Sequence, residues 1–233
     1  MQPICIIGTD TGIGKTYTCC KIMQYLISKN RTTTTLKPIS SGVSRCEYGL
    51  LNADVYQLYK ASNYKLDFNQ INPFQYPLAV APHIAAKQHG STLNVKLVYK
   101  QMQKIFNAII HTNNTVADHV FIEGVGGLMV PLNPTETFLD LLANWNYPII
   151  LVVGMKLGCL NHTLLTLQTL QQKKLTILGW AANQIEAQMP YYHENLEYLT
   201  HKLDELAVPL LATIAYQDNL KPTLKFKELF KCN

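Results

Sequence analysis

A glycine-rich loop near the amino end limits what this chain can fold into more than any other stretch. Gly8-Thr9-Asp10-Thr11-Gly12-Ile13-Gly14-Lys15-Thr16 follows the apolar run Ile4-Cys5-Ile6-Ile7, which reads as a buried strand. It precedes a segment in which Cys19, Ile22, Met23, Leu26 and Ile27 recur at helical spacing. Strand, glycine loop and helix make a phosphate cradle. Glycines let the backbone approach an anion, the helix N-terminus supplies partial positive charge, Lys15 adds a full one, and the Thr16 hydroxyl is placed for a magnesium ion. The expected ligand is the tail of a nucleoside triphosphate. Five residues separate Gly8 from Gly14, one more than the simple Walker pattern allows, which narrows the field.

Around this loop, strand-like and helix-like segments alternate to the end of the chain. That order predicts a single α/β domain over residues 1–233, with a mostly parallel sheet and helices on both faces, like a P-loop NTPase. Thr32 to Lys37 predicts a second strand closed by Pro38, followed by a Ser40-Ser41-Gly42 loop, and Asn52 to Ala61 a helix with Val55, Leu58 and Tyr59 on one face. The proline- and aromatic-rich stretch Asn69 to Pro82 reads as an irregular surface excursion. From Asn94 onward Val95, Val98, Met102, Ile105 and Ile109 repeat as on a long amphipathic helix. Buried strands follow at Val120 to Ile122 and Ile149 to Val153, each ending in a glycine-bearing loop, Glu123 to Gly127 and Gly154. Two more are expected at Leu175 to Ala182 and Val208 to Ile214, with a helix around Tyr191 to Leu206 between them.

Composition excludes several classes. Hydrophobic residues form 48% of the 233 and charged ones 15%, evenly spread, so disorder and fibrous architectures do not fit. The net charge of +5 comes without a basic tract, leaving no nucleic-acid footprint. No apolar run approaches a membrane span and the start lacks a signal-peptide layout, so a soluble cytoplasmic protein without a membrane partner is expected. The six cysteines contain no Cys-x-x-Cys pair and read as reduced thiols.

In open α/β sheets ligands sit beyond the carboxyl ends of the strands. Glu123 at such an end is placed to hold magnesium, with the glycines at 124, 126 and 127 allowing close backbone approach. Asp54 is a second metal candidate or a first-turn helix acid. Lys37 closes the second strand facing the neighbouring loop, and Ser41 is placed to donate to an anionic substrate or to form a turn.

Six dispersed blocks then resemble one family. Gly8 to Thr16, Lys37-Pro38 with Ser41-Gly42, Asn52-x-Asp54, Glu123 to Gly127, Val152 to His162 and Ala182-Asn183 occur in the order seen in the dethiobiotin synthetases. The resemblance implies an ATP- and magnesium-dependent closure of 7,8-diaminononanoate with carbon dioxide to a cyclic urea, through a carbamate that attacks the γ-phosphate. It implies Lys15, Lys37 and Thr11 as catalytic residues, and Thr16, Asp54 and Glu123 as magnesium ligands. Gly12, Ile13, Gly14, Lys15, Thr16 and Tyr17 would wrap the phosphates beside Gly124, Val125 and Gly126, while Asn183, Gln184, Pro209, Leu210 and Leu211 would surround the adenine. Ser41 and Lys37 would bind substrate, joined by Leu157, Gly158 and Asn161 reaching from the second subunit of a homodimer. Two positions depart from the family pattern: Gly12, where some members carry a glutamate, and Gln184, where an acid is common.

A second class shares the loop: partitioning ATPases, in which nucleotide drives dimerisation on DNA or membrane. Those switches usually carry a second lysine early in the loop, absent here. The tail from Lys221 to Lys231, with lysines interleaved among Leu224, Phe226, Leu229 and Phe230, reads as a closing helix or a membrane-surface one.

Overall fold

The computed structural model describes residues 2–111 and 117–232. Strand β1 (Ile4–Gly8) feeds through the glycine loop into helix α1 (Lys15–Ser28), and β2 (Thr33–Leu36) follows. A peripheral block comes next: β3 (Ile39–Ser41), β4 (Ser44–Cys46), β5 (Gly49–Leu51), α2 (Ala53–Ala61), α3 (Phe68–Ile71), β6 (Phe74–Tyr76) and α4 (Pro82–Gln88). The chain continues through α5 (Val95–His111), β7 (His119–Glu123), α6 (Phe138–Trp145), β8 (Ile149–Met155), α7 (Cys159–Gln172) and β9 (Ile177–Gln184). It closes with α8 (Tyr192–Asp204), β10 (Leu210–Ile214), β11 (Leu220–Pro222) and α9 (Leu224–Phe230).

Seven strands form the main sheet in the order β2-β7-β1-β8-β9-β10-β11, parallel throughout except for β11, which runs back along β10. A parallel sheet needs both faces covered, and every residue of β8 is buried. Ile6, Phe121, Ile150 and Val152 pack under Ile22, Met23 and Leu26 of α1 and Phe226 and Phe230 of α9. On the other face Ile7 and Ile122 meet Val98, Met102 and Ile105 of α5, and Leu151 and Val153 meet Leu167 of α7. The lysine-bearing tail is therefore spent on packing: Phe226 and Phe230 are buried, and Tyr25 meets Phe226 edge-on at 5.4 Å between ring centroids. Among the described residues no helix is long and apolar enough to cross a membrane, and all six cysteines are free.

Two expectations need correction. Ser40 and Ser41 lie in β3, which pairs in parallel with β6, so the stretch read as irregular from Asn69 to Pro82 contains the end of α3, a strand and the first residue of α4. The pairing is held by side chains as much as by the ladder: Ser40 Oγ donates to Asn72 Oδ1 at 2.7 Å, and Asn72 Nδ2 donates to the Lys37 carbonyl at 2.6 Å. Gly154 lies within β8, not in a loop, because a β-carbon there would stand 2.6 Å from Ile13 Cβ; its absence lets the phosphate loop lie against the strand.

Candidate active site

Gly14 is the residue on which the phosphate loop turns into α1, with φ at +81°. A β-carbon at Gly14 would stand 2.1 Å from Asn183 Nδ2. That amide, buried at the end of β9, donates to the Ile13 carbonyl at 2.9 Å and ties the loop to a strand two places away from β1. Lys15 is buried in the first turn of α1, and its ammonium donates across the loop to the Asp10 carbonyl at 2.8 Å. Burial pushes its pKa down to about 8, against the opposing pull of the Glu123 carboxylate.

The parallel register builds the rest. Leu36 of β2 sits beside Ile122 of β7, so the next residues along, Lys37 and Glu123, meet at the same rim, and β1 carries Thr16 to them through the loop. Lys37 Nζ pairs with Glu123 Oε1, and with Asp54 Oδ2 at 3.0 Å. Thr16 Oγ1 donates to the same Glu123 oxygen at 2.7 Å. Asp54 is held there by the N-cap of α2, where the Asn52 side chain accepts from the backbone of Asp54 and Val55. Burial disfavours the charged Lys37, but the carboxylates of Glu123 and Asp54 outweigh it and hold its pKa above the ordinary lysine value.

These oxygens fit a magnesium ion. A hard divalent cation takes carboxylate and hydroxyl oxygens, and Glu123 Oε2 is buried without a hydrogen-bond partner. Among the described residues no three His, Cys, Asp or Glu side chains form a metal cage, so two carboxylates and a hydroxyl would need phosphate oxygens to complete the coordination.

The cluster floors a cleft of 760 Å³. Thr11, Gly12, Gly14, Lys15, Thr16 and Tyr17 form one side, Ser41, Asn52 and Asp54 another, and Val125, Gly126, Val130 and Pro131 a third. Ala79 to Pro82 supply an apolar wall ahead of α4. A charged, oxygen-rich floor under apolar walls suits a ligand with a polyanionic part and a hydrocarbon part.

The family described as "AAA domain" matches residues 2–223. Among curated proteins, the ATP-dependent dethiobiotin synthetase BioD of Wigglesworthia glossinidia brevipalpis is 37% identical over 216 residues, covering 93% of this chain and 91% of that one. BioD of Legionella pneumophila strain Corby is 39% identical over 219 residues, covering 93% and 94%. The chain belongs to the dethiobiotin synthetase family. BioD 1 of Escherichia coli K12 shares 35% identity over 91% of this chain and 89% of its own. Solved structures of similar fold include cell division protein FtsY from Thermotoga maritima, with a TM-score of 0.55 at 13% identity, covering 98% of this chain and 68% of that one. The cell division ATPase MinD of Pyrococcus furiosus matches with a TM-score of 0.50 at 17% identity, covering 92% and 83%. These two share the fold alone.

Within this dethiobiotin synthetase family member, the remaining predicted residues divide. Gly124 lies at the rim, where a β-carbon would stand 2.9 Å from the Phe138 ring, and Gln184 Nε2 donates to the Ala187 carbonyl at 3.4 Å at the end of β9. Pro209, Leu210 and Leu211 need correction. The register sets Leu210 beside Trp180 and Ile214 beside Asn183, so Pro209 precedes β10 and Leu210 and Leu211 begin it, at the end of the strand away from the phosphate loop. What reaches the rim is the turn after Ile214: Tyr17 donates its hydroxyl to the Asp218 carbonyl at 2.7 Å, and Lys21 Nζ donates to Asn219 Oδ1 at 2.9 Å. Leu157, Gly158 and Asn161 lie outside the cleft, at the start of α7, with Leu157 96% exposed. Nearby, Lys156 pairs with Asp10 at 3.5 Å. Sequence reasoning missed the wall from Ala79 to Pro82 and the bracing by Asn52, whose Nδ2 donates to the carbonyls of Ser41 at 3.1 Å and Gly42 at 2.8 Å. The Asn-x-Asp spacing was the available signal for the second.

Proposed function

We propose that this chain is a dethiobiotin synthetase, which closes 7,8-diaminononanoate and carbon dioxide into the cyclic urea of dethiobiotin at the expense of ATP, with magnesium, as one cytoplasmic domain over residues 1–233. The observation that carries the reading is the linked set Thr16, Lys37, Asp54 and Glu123 at the floor of one cleft with an apolar wall. The phosphates lie along Gly12 to Tyr17, and the base lies toward Asn183, Gln184 and the turn after β10. Thr16, Asp54 and Glu123 would hold magnesium, which would supply positive charge against the developing negative charge of the transferring group.

One amine of the substrate attacks carbon dioxide and loses a proton, giving a carbamate. A carbamate oxygen attacks the γ-phosphorus, and the bond to the bridging oxygen of ADP breaks. The second amine then attacks the carbamate carbon and gives up a proton to solvent or the departing phosphate, the carbon–oxygen bond breaks, and phosphate leaves. Lys15 and Lys37 steady negative charge on the carbamate and the transferring phosphoryl group, since positioning and electrostatics carry most of phosphoryl transfer. Thr11 and Ser41 donate to the substrate end of the cleft. The chain works as a homodimer in which Leu157, Gly158 and Asn161 complete the partner's cleft, a reading supported by their standing clear of their own.

The deciding experiment incubates the protein with labelled bicarbonate, diaminononanoate and magnesium–ATP. Label appears in a cyclic product stable to acid. Nucleotide binding without such a product refutes the reading.

A further inference from the structure

Lys37 and a divalent ion would draw on the same two carboxylates, those of Asp54 and Glu123. The Lys37 side chain is 6% exposed and that of Glu123 0%, so the pair lies out of water, whereas Asp54 at 44% borders the cleft. A buried carboxylate without a cation is costly, so some positive group must stand against Glu123 in every state. Without metal that group is Lys37, which bridges Glu123 Oε1 and Asp54 Oδ2. A divalent ion held by the same carboxylates would neutralise the charge that holds the ammonium and repel it at close range.

We propose that Lys37 is the resident counter-ion of the metal place, and that the entering divalent ion takes over its carboxylates and turns its ammonium into the cleft. This rests on the reading of Thr16, Asp54 and Glu123 as the metal ligands. Lys37 already lines the cleft wall, so the exchange needs a side-chain rotation and no backbone opening. The charge change is directional. Lys37, Asp54 and Glu123 sum to −1 (one cation, two carboxylates), and a divalent ion raises the group to +1. The released ammonium then faces the phosphates and the carbamate, so the chain presents its second lysine only when metal is seated.

Mn2+ binding to the nucleotide-free protein, followed by electron paramagnetic resonance, tests the exchange. Lys37→Met binds Mn2+ about tenfold or more tighter than the parent, because removing the resident lifts the population penalty on the open site. Lys15→Met removes an equal charge from the same cleft, but its ammonium rests on the Asp10 carbonyl and not on either carboxylate, so its effect stays below about threefold. Equal gains in both variants, or no gain in Lys37→Met, overturn the proposal. Crystals of the unsubstituted protein with Mn2+ and a non-hydrolysable ATP analogue give an answer that does not depend on the variants folding. A manganese anomalous peak on the Asp54 or Glu123 carboxylate, with Lys37 Nζ beyond hydrogen-bond distance of both, supports exchange. Retention of both Lys37 pairs beside the metal refutes it. Activity enters neither readout, so failure of the labelled-bicarbonate assay and failure of the exchange remain distinguishable.

Discussion

Replacing Gly14 by alanine tests how tightly the phosphate loop is built. Two costs follow from the geometry. At φ +81° an alanine occupies left-handed backbone space, worth about 1–2 kcal/mol against a residue with a β-carbon. The methyl would also stand 2.1 Å from Asn183 Nδ2, so that side chain must withdraw and abandon its 2.9 Å bond to the Ile13 carbonyl. Leaving that buried carbonyl without a donor costs a further ~1–3 kcal/mol. Gly14→Ala should therefore lower the unfolding free energy by about 3 kcal/mol. In an Asn183→Ala background the second cost has already been taken, and the same substitution should cost only the ~1–2 kcal/mol of backbone strain. Urea denaturation of the four proteins, with comparable slopes, gives the coupling. A Gly14→Ala protein within ~0.5 kcal/mol of the parent, or an identical cost in both backgrounds, would refute the account of the loop anchor.

Three further outcomes are expected. Lys37→Gln should lower turnover by ~100-fold or more while the circular dichroism spectrum is unchanged, and an unaltered kcat would remove Lys37 from the chemistry. Thr34→Val should raise the unfolding free energy by ~1 kcal/mol, since the Thr34 hydroxyl is buried without a partner; a destabilised variant would show that the hydroxyl is satisfied. Lys15 is charged below about pH 8 and neutral above it in the folded chain, so affinity for a non-hydrolysable ATP analogue should fall by up to ~tenfold per pH unit above that point, with proton uptake on binding. Between about 8 and the ordinary lysine value of 10.5 the unfolded chain binds more protons, so stability from this group rises across the same window, and calorimetry in buffers of different ionisation heat checks the uptake.

Residues whose role follows from local chemistry were legible in the sequence. The glycines of the phosphate loop and Lys15 announce themselves by spacing, Lys37 by closing a run of β-branched residues before a proline, and Glu123 by standing where a buried apolar run stops. Their convergence was legible only because parallel strands place all their carboxyl ends on one rim. Pro209 to Leu211 failed for the complementary reason. An apolar run buried on both faces carries no mark of which end meets the ligand, and only pairing with β9 shows that the turn after Ile214 takes the rim. The β3–β6 pair was invisible because strands of three residues show no period, and its partners Ser40 and Asn72 are residues that ordinarily signal turns. Gly154 misled in another way: glycine marks close approach as readily as a loop, and here it makes room for Ile13.

FtsY and MinD share this fold at identities too low to carry function, so what separates members of such a scaffold must be sought at the rim. Here the loop carries no second lysine, and its Asp10 is matched by Lys156 from the turn before α7. Of the cations near the phosphate loop, Lys15 comes from the first turn of α1 and Lys37 from the end of β2, and Lys37 is paired with the carboxylates of Asp54 and Glu123. A cation so held does nothing for nucleotide-driven docking on a surface. It is useful where a charge must be delivered beside the phosphates at a set moment, which is what transferring a phosphoryl group onto a bound small molecule requires.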